Sequence, residues 1–73
     1  MEINEMIISY KPLWHLMLDK NMKKIELREL ARLSTTTLAK LGKDEPVNLD
    51  MLLRICNVFH CRIEDVVEFM EDE

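Results

Sequence analysis

Glycine occurs once and proline twice in 73 residues, so the chain is poor in the two residues that punctuate sheet turns, and helices are favoured over strands. Cysteine occurs only at Cys56 and Cys61, too few for the disulfide framework of a small secreted domain, and both read as small core thiols in a reducing compartment. No apolar run approaches the roughly 20 residues that cross a bilayer. The opening stretch, MEINEMIISYK, lacks the cationic segment of a secretory leader, so the expected location is the cytoplasm. Gly-rich phosphate loops and nucleophile motifs are missing too, which argues against an enzyme and gives no reason to expect a cofactor or a small-molecule ligand.

What the chain does have is apolar content, 48% of its residues. At this length it forms one domain, residues 1–73, burying about 60–65% of the surface that the unfolded chain exposes. The net charge of −4 is the wrong sign for the usual electrostatic footprint of a nucleic-acid binder, but it is unevenly spread. Residues 20–43 carry Lys20, Lys23, Lys24, Arg28, Arg32, Lys40 and Lys43 against Glu26 and Glu29, a net +5, whereas residues 44–73 carry two arginines against nine acids, a net −7. A molecule so polarised presents one cationic face.

Met6 to Tyr10 lean toward extended structure and suit a short N-terminal arm. Pro12 fits a first helical turn, and Leu13, Leu16, Met17 and Lys20 follow at helical spacing, which predicts a first helix over about 12–21. Ile25, Leu27, Leu30 and Ala31 form the apolar set of a second helix ending near Arg32. Four hydroxyl residues in a row, Ser34 to Thr37, then favour a cap over a helix interior. A third helix starts at about Thr35, turns Leu38 and Leu41 inward and stops at Gly42 in the left-handed conformation. Asn48 caps a fourth helix with an apolar face of Leu49, Leu52, Leu53, Cys56 and Phe59. Beyond His60 and Cys61, the spacing of Ile63, Val66, Val67 and Met70 predicts a fifth helix, with acids on its other side and an acidic tail, over about 63–73. The expected fold class is therefore all-α, a compact five-helix bundle.

Leu27, Ala31, Leu33, Leu38 and Leu41 are spaced irregularly. One continuous helix would point Leu33 away from the others, whereas a break after Arg32 lets Leu33 plug the angle between two crossing helices. The pattern specifies a helix-turn-helix over about 24–42. With Tyr10-Lys11-Pro12-Leu13-Trp14, the run from Ser34 to Lys43, Leu49-Asp50-Met51-Leu52-Leu53-Arg54-Ile55-Cys56, and Asp65-Val66-Val67, the sequence resembles the Cro/C1 type of helix-turn-helix regulator, in particular its small stand-alone members. The likeness runs over about residues 9–69.

The resemblance implies a lambda-repressor-like fold that binds double-stranded DNA at an operator and regulates transcription, with the third helix in the major groove. By position, the base-reading candidates are Ser34, Thr35, Thr36, Thr37, Ala39, Lys40 and Lys43; Lys40 is the candidate guanine contact, and the hydroxyls suit several bases. The phosphate candidates are Lys20, Lys23, Lys24, Arg28 and Arg32. At the head of the second helix, where the family often carries glutamine or threonine, this chain has Lys23 and Lys24. It also has Arg28 where a small residue is usual and Arg32 where a turn glycine is usual.

Other readings stand beside this one. Scattered lysines and arginines are commonly solvated helix faces, and a protein-interaction module, an antitoxin or adaptor that has kept the fold without DNA readout, would account for the acidic tail. Membrane-surface attachment would need an exposed apolar stripe beside the basic face, which the bundle does not leave over. His60 and Cys61 with Cys56 lack the spacing and the fourth donor of a compact zinc site, so no metal is expected. His15 reads as a surface side chain, and Tyr10 and Trp14 as packing residues. A homodimer is expected, because two-fold pairing doubles the contacts of a module with a single reading helix. Its interface is placed at Ile63, Val66, Val67, Phe69 and Met70, with residues 6–10 in reserve. With no ligand-binding domain in view, control would come from concentration, a competing regulator or a partner protein.

Overall fold

In the computed structural model, which describes residues 5–72, the chain runs through β1 (Met6–Ser9), α1 (Lys11–Asp19), α2 (Lys24–Ala31), α3 (Thr35–Gly42), α4 (Leu49–Phe59), a 3-10 turn at Ile63–Asp65, and β2 (Glu68–Glu71). Residues 1–4 and residue 73 of the acidic tail lie outside the described residues. Among the described residues no helix is long and apolar enough to cross a membrane.

Each helix begins and ends for a local reason. Pro12 occupies the first turn of α1, Ser9 Oγ accepts the Lys11 N–H at 3.3 Å, and the Val66 carbonyl accepts the Leu13 N–H at 3.2 Å. These bonds satisfy donors that a helix leaves unpaired at its head. Ser34 caps α3 through the Thr37 N–H at 3.0 Å, and Asn48 caps α4 through the Met51 N–H at 3.0 Å. At the other end, the chain leaves α1, α2, α3 and α4 through Asn21, Arg32, Asp44 and His60, all left-handed at φ between 51 and 56°. Bonds from Met22 N to Met17 O, Leu33 N to Arg28 O, Glu45 N to Lys40 O and Cys61 N to Cys56 O span five residues each, the longer bond of the Schellman motif. The protein thus turns four helix ends without glycine. Gly42 is not the stop of α3: it is helical, and Asp44 takes the left-handed position instead.

The core gathers Tyr10, Leu13, Met17, Leu27, Ala31, Leu33, Leu41, Leu52, Ile55 and Val66. On α4 the buried residues are Leu52 and Ile55, while Leu49 and Leu53 are exposed. The apolar face expected from Leu49, Leu52, Leu53, Cys56 and Phe59 is therefore rotated, because a helix so rich in apolar residues satisfies helical spacing along more than one stripe. On α2, Leu27 and Ala31 are buried but Ile25 and Leu30 face outward.

The predicted fifth helix does not form. Ile63, Val66, Val67 and Met70 have helical spacing, yet only Ile63–Asp65 turns, as a single 3-10 turn. Val66 then drops fully into the core and its carbonyl bonds α1, after which Glu68–Glu71 pairs antiparallel with β1. The β-branched and aromatic residues here suit a strand once a partner is available, and β1 supplies it. The fold is accordingly a mostly helical four-helix domain with a two-stranded ribbon, not an all-α bundle of five. The interface placed on that fifth helix changes with it: Val66 is core, Val67 is half-buried, and Ile63, Phe69 and Met70 are exposed without a helix to align them.

Candidate nucleic-acid interface

The bend between α2 and α3 is set by two residues of opposite habit. Arg32 takes the left-handed conformation with its side chain exposed, and Leu33 follows it into the core. Burying one leucine side chain is worth about 1.5–3 kcal/mol, so Leu33 holds the corner despite the backbone cost at Arg32. Arg54 of α4 adds a third tie. Its Nη1 donates to the Arg32 carbonyl oxygen at 3.1 Å while its Nη2 pairs with Asp50 Oδ2 at 3.0 Å. The guanidinium thereby takes up a carbonyl at the end of α2 and fixes α4 against the turn. In sequence Arg54 is one of two arginines in the acidic segment 44–73, and its signal there is the four-residue spacing from Asp50.

The outer face of α3 carries Thr35, Thr36, Ala39 and Lys40, and Lys43 follows at its C-cap, all exposed, while Leu41 is buried and Leu38 half-buried on the opposite side. Helical periodicity puts the first four on one face. Ser34 and Thr37 are engaged elsewhere: Ser34 Oγ accepts the Thr37 N–H and donates to Thr37 Oγ1 at 3.1 Å, and Thr37 is half-buried. Their hydroxyls close the helix cap, which leaves fewer free groups for an outside partner.

Lys20, Lys23 and Lys24 surround the α1–α2 turn and are exposed, as is Arg32; Arg28 is half-buried. The Glu26 carboxylate accepts the Lys23 N–H at 3.2 Å, and it is the carboxylate alone that caps this helix head, since a lysine ammonium has no lone pair to accept with. Lys24 Nζ sits 4.7 Å from the centroid of the half-buried Trp14 ring. That cation–π contact holds the ammonium at the head of α2, where the positive helix end reinforces its charge. The two ion pairs of the described residues are Asp50–Arg54 and Arg62–Glu64. None of the seven cations between Lys20 and Lys43 is neutralised by them, so Glu26 and Glu29 leave the basic segment electrically open.

Tyr10 locks the far side of the domain. Its O–H donates to the Glu45 carbonyl at 2.7 Å, its N–H donates to Asp44 Oδ1 at 3.0 Å, and burial raises the phenol above its usual range. Trp14 packs against the core and His15 is exposed. Cys56 and Cys61 are free and half-buried; burial, then the neighbouring Cys56, pushes Cys61 to about 11. Among the described residues no three His, Cys, Asp or Glu side chains gather as a metal site.

Residues 12–72 match the model of the Cro/C1-type HTH DNA-binding domain. The chain is also similar to the crystal structure of the transcriptional regulator VanUg, with a TM-score of 0.90 and 43% identity over 99% of this chain and 96% of that one. No curated protein matches it closely enough to count as a relative. A match over nearly the whole fold, together with a leucine-plugged corner between α2 and α3, makes the chain a member of the Cro/C1-type helix-turn-helix DNA-binding family.

Proposed function

We propose that the protein is a transcriptional regulator that binds duplex DNA with α3 in the major groove. The observation that carries this reading is the outer face of α3: four exposed side chains on the helix and Lys43 at its cap, two of the five being lysines, with the other side of the helix locked into the core. Its likeness to the transcriptional regulator VanUg supports the regulatory role. Thr35, Thr36, Ala39, Lys40 and Lys43 read base edges. Lys40 contacts guanine, and the threonine methyls meet thymine methyls. Ser34 and Thr37 stand at the edge of this set, because their hydroxyls are committed to the cap.

Lys20, Lys23, Lys24, Arg28 and Arg32 contact phosphates and set the register of the domain on the duplex without carrying sequence information. The protein works as a homodimer, so that two reading helices address the halves of a palindrome. Selection from a random duplex library tests the whole reading: an enriched palindrome is the expected result. Recovery of no consensus, together with binding that ignores salt, would favour a protein-interaction module.

A further inference from the structure

The ribbon of β1 and β2 is the least self-sufficient part of the molecule. Two strands alone are marginal in water, yet this pair exposes Met6 by 58%, Ile7 by 43%, Phe69 by 68% and Met70 by 40%. Those residues lie on both faces, since Met6, Ile8 and Phe69 alternate with Ile7 and Met70.

The ladder also fixes which backbone groups are left unpaired among the described residues. The Asp72 N–H donates to the Glu5 carbonyl at 2.9 Å. Because antiparallel pairs alternate, this makes Ile7–Met70 and Ser9–Glu68 the hydrogen-bonded pairs, and it turns the N–H and C=O of Met6 and Ile8 to the outer edge of β1. The next outward donor, the Tyr10 N–H, is already taken by Asp44 Oδ1 at 3.0 Å. The open edge therefore ends at Ile8.

We infer that this edge of β1 pairs with the same edge of a second copy, making a four-stranded antiparallel sheet across a two-fold axis. Met6 of one chain faces Ile8 of the other in each of two hydrogen-bonded pairs, and Ile7 meets its own counterpart on the axis. One face of the joined sheet then gathers both copies of Ile7 and Met70, and the other both copies of Met6, Ile8 and Phe69. Charge selects this edge over that of β2. Met6–Ser9 holds no charged residue, whereas β2 carries Glu68 and Glu71, and the equivalent antiparallel pair of its outer edges, centred on the inward-bonded Met70, would set Glu68 directly against Asp72 of the other copy. Like charges directly opposite are destabilising. The pairing gives the proposed homodimer its surface and rests on that part of the functional reading alone, so DNA binding by a monomer would leave the DNA reading intact.

Ile8→Pro removes one outward donor and leaves the β1–β2 bonds in place, a substitution that an edge strand tolerates. By sedimentation, the chain is expected to dimerise, with Ile8→Pro weakening the dimer at least tenfold and Glu71→Pro, which blocks the outer edge of β2, leaving it unchanged. Ile7→Cys provides the second arm, because residues paired on the axis at a non-hydrogen-bonded position lie about 4.5 Å apart at Cα, within disulfide reach. Mild oxidation should link residue 7 to residue 7 of another chain, as located by mass spectrometry. A strict monomer at high concentration, or a dimer that ignores Ile8→Pro and never links through residue 7, overturns the inference.

Discussion

The Arg54 guanidinium donates to the backbone carbonyl of Arg32 at 3.1 Å, so the corner of the helix-turn-helix is held by a side chain of α4 and not by its own residues alone. The same guanidinium pairs with Asp50 at 3.0 Å, and both side chains are substantially exposed. Solvent screening keeps the ion pair weak, and the value of the arrangement lies in the direction of the hydrogen bond.

Arg54→Ala is expected to lower stability by about 1 kcal/mol, the net worth of one partly exposed hydrogen bond. Affinity for the preferred DNA site should fall more than affinity for random duplex, because the angle of α3 is loosened while the phosphate-facing cations stay. Equilibrium denaturation and paired binding isotherms check both effects. Equal losses on the two duplexes would show that Arg54 does not orient the reading helix.

Exchanges at the ends of α2 and α3, one to glycine and one from it, should both stabilise. Arg32 sits at φ 56°, where a side chain costs about 1 kcal/mol relative to glycine, so Arg32→Gly should raise the unfolding free energy by about that amount while lowering the salt dependence of DNA binding. Gly42 is helical, and a Cβ added there meets nothing within 4 Å. Gly42→Ala should therefore also stabilise, by about 0.5–1 kcal/mol. Chemical denaturation of the two variants decides; a destabilised Gly42→Ala would mean that the left-handed stop belongs to Gly42 after all.

These two positions also mark how far the sequence could be read. The corner at Leu33, the caps at Ser34 and Asn48 and the outward face of α3 are legible because they depend on neighbours within a turn or two. The left-handed ends were not: with a single glycine in the chain, Asn21, Arg32, Asp44 and His60 carry conformations that glycine usually marks. β2 is illegible in sequence because Ile63, Val66, Val67 and Met70 fit a helical stripe, and only pairing with β1, more than 50 residues away in sequence, decides for a strand. The Arg54 tie, 22 residues from its acceptor, is long-range in the same way and left no local signature beyond its spacing from Asp50.

Alkaline pH should destabilise the fold. The Cys61 thiol is raised from 9.0 to about 11, mainly by burial, and the Tyr10 phenol is raised as well. Folded-state values above the unfolded ones mean that the contribution is fully present below the unfolded pKa and is lost as pH climbs through the folded one. For Cys61 that window is pH 9 to about 11. The melting temperature should decline across it, and Cys61→Ala should flatten part of the decline. A melting temperature that stays level to pH 11 would contradict the burial argument.

The division of labour between the head of α2 and the face of α3 is tested most directly by measuring Lys24→Ala and Lys40→Ala against the selected site and against random duplex, over a range of salt. Each phosphate contact adds about 0.9 to the slope of log affinity against log salt. Lys24→Ala should accordingly weaken both duplexes alike and reduce the slope by about one unit, whereas Lys40→Ala should cost about 1–3 kcal/mol on the selected site only. Thr36→Ala should follow Lys40→Ala with a smaller loss. All three side chains are exposed, so Thr36→Ala and Lys40→Ala should leave thermal stability nearly constant, and Lys24→Ala should cost no more than about 0.5–1 kcal/mol, the worth of its contact with Trp14, too little for binding losses to be assigned to unfolding. If Lys24→Ala changed the sequence preference while Lys40→Ala and Thr36→Ala left it intact, α3 would not be the reading helix.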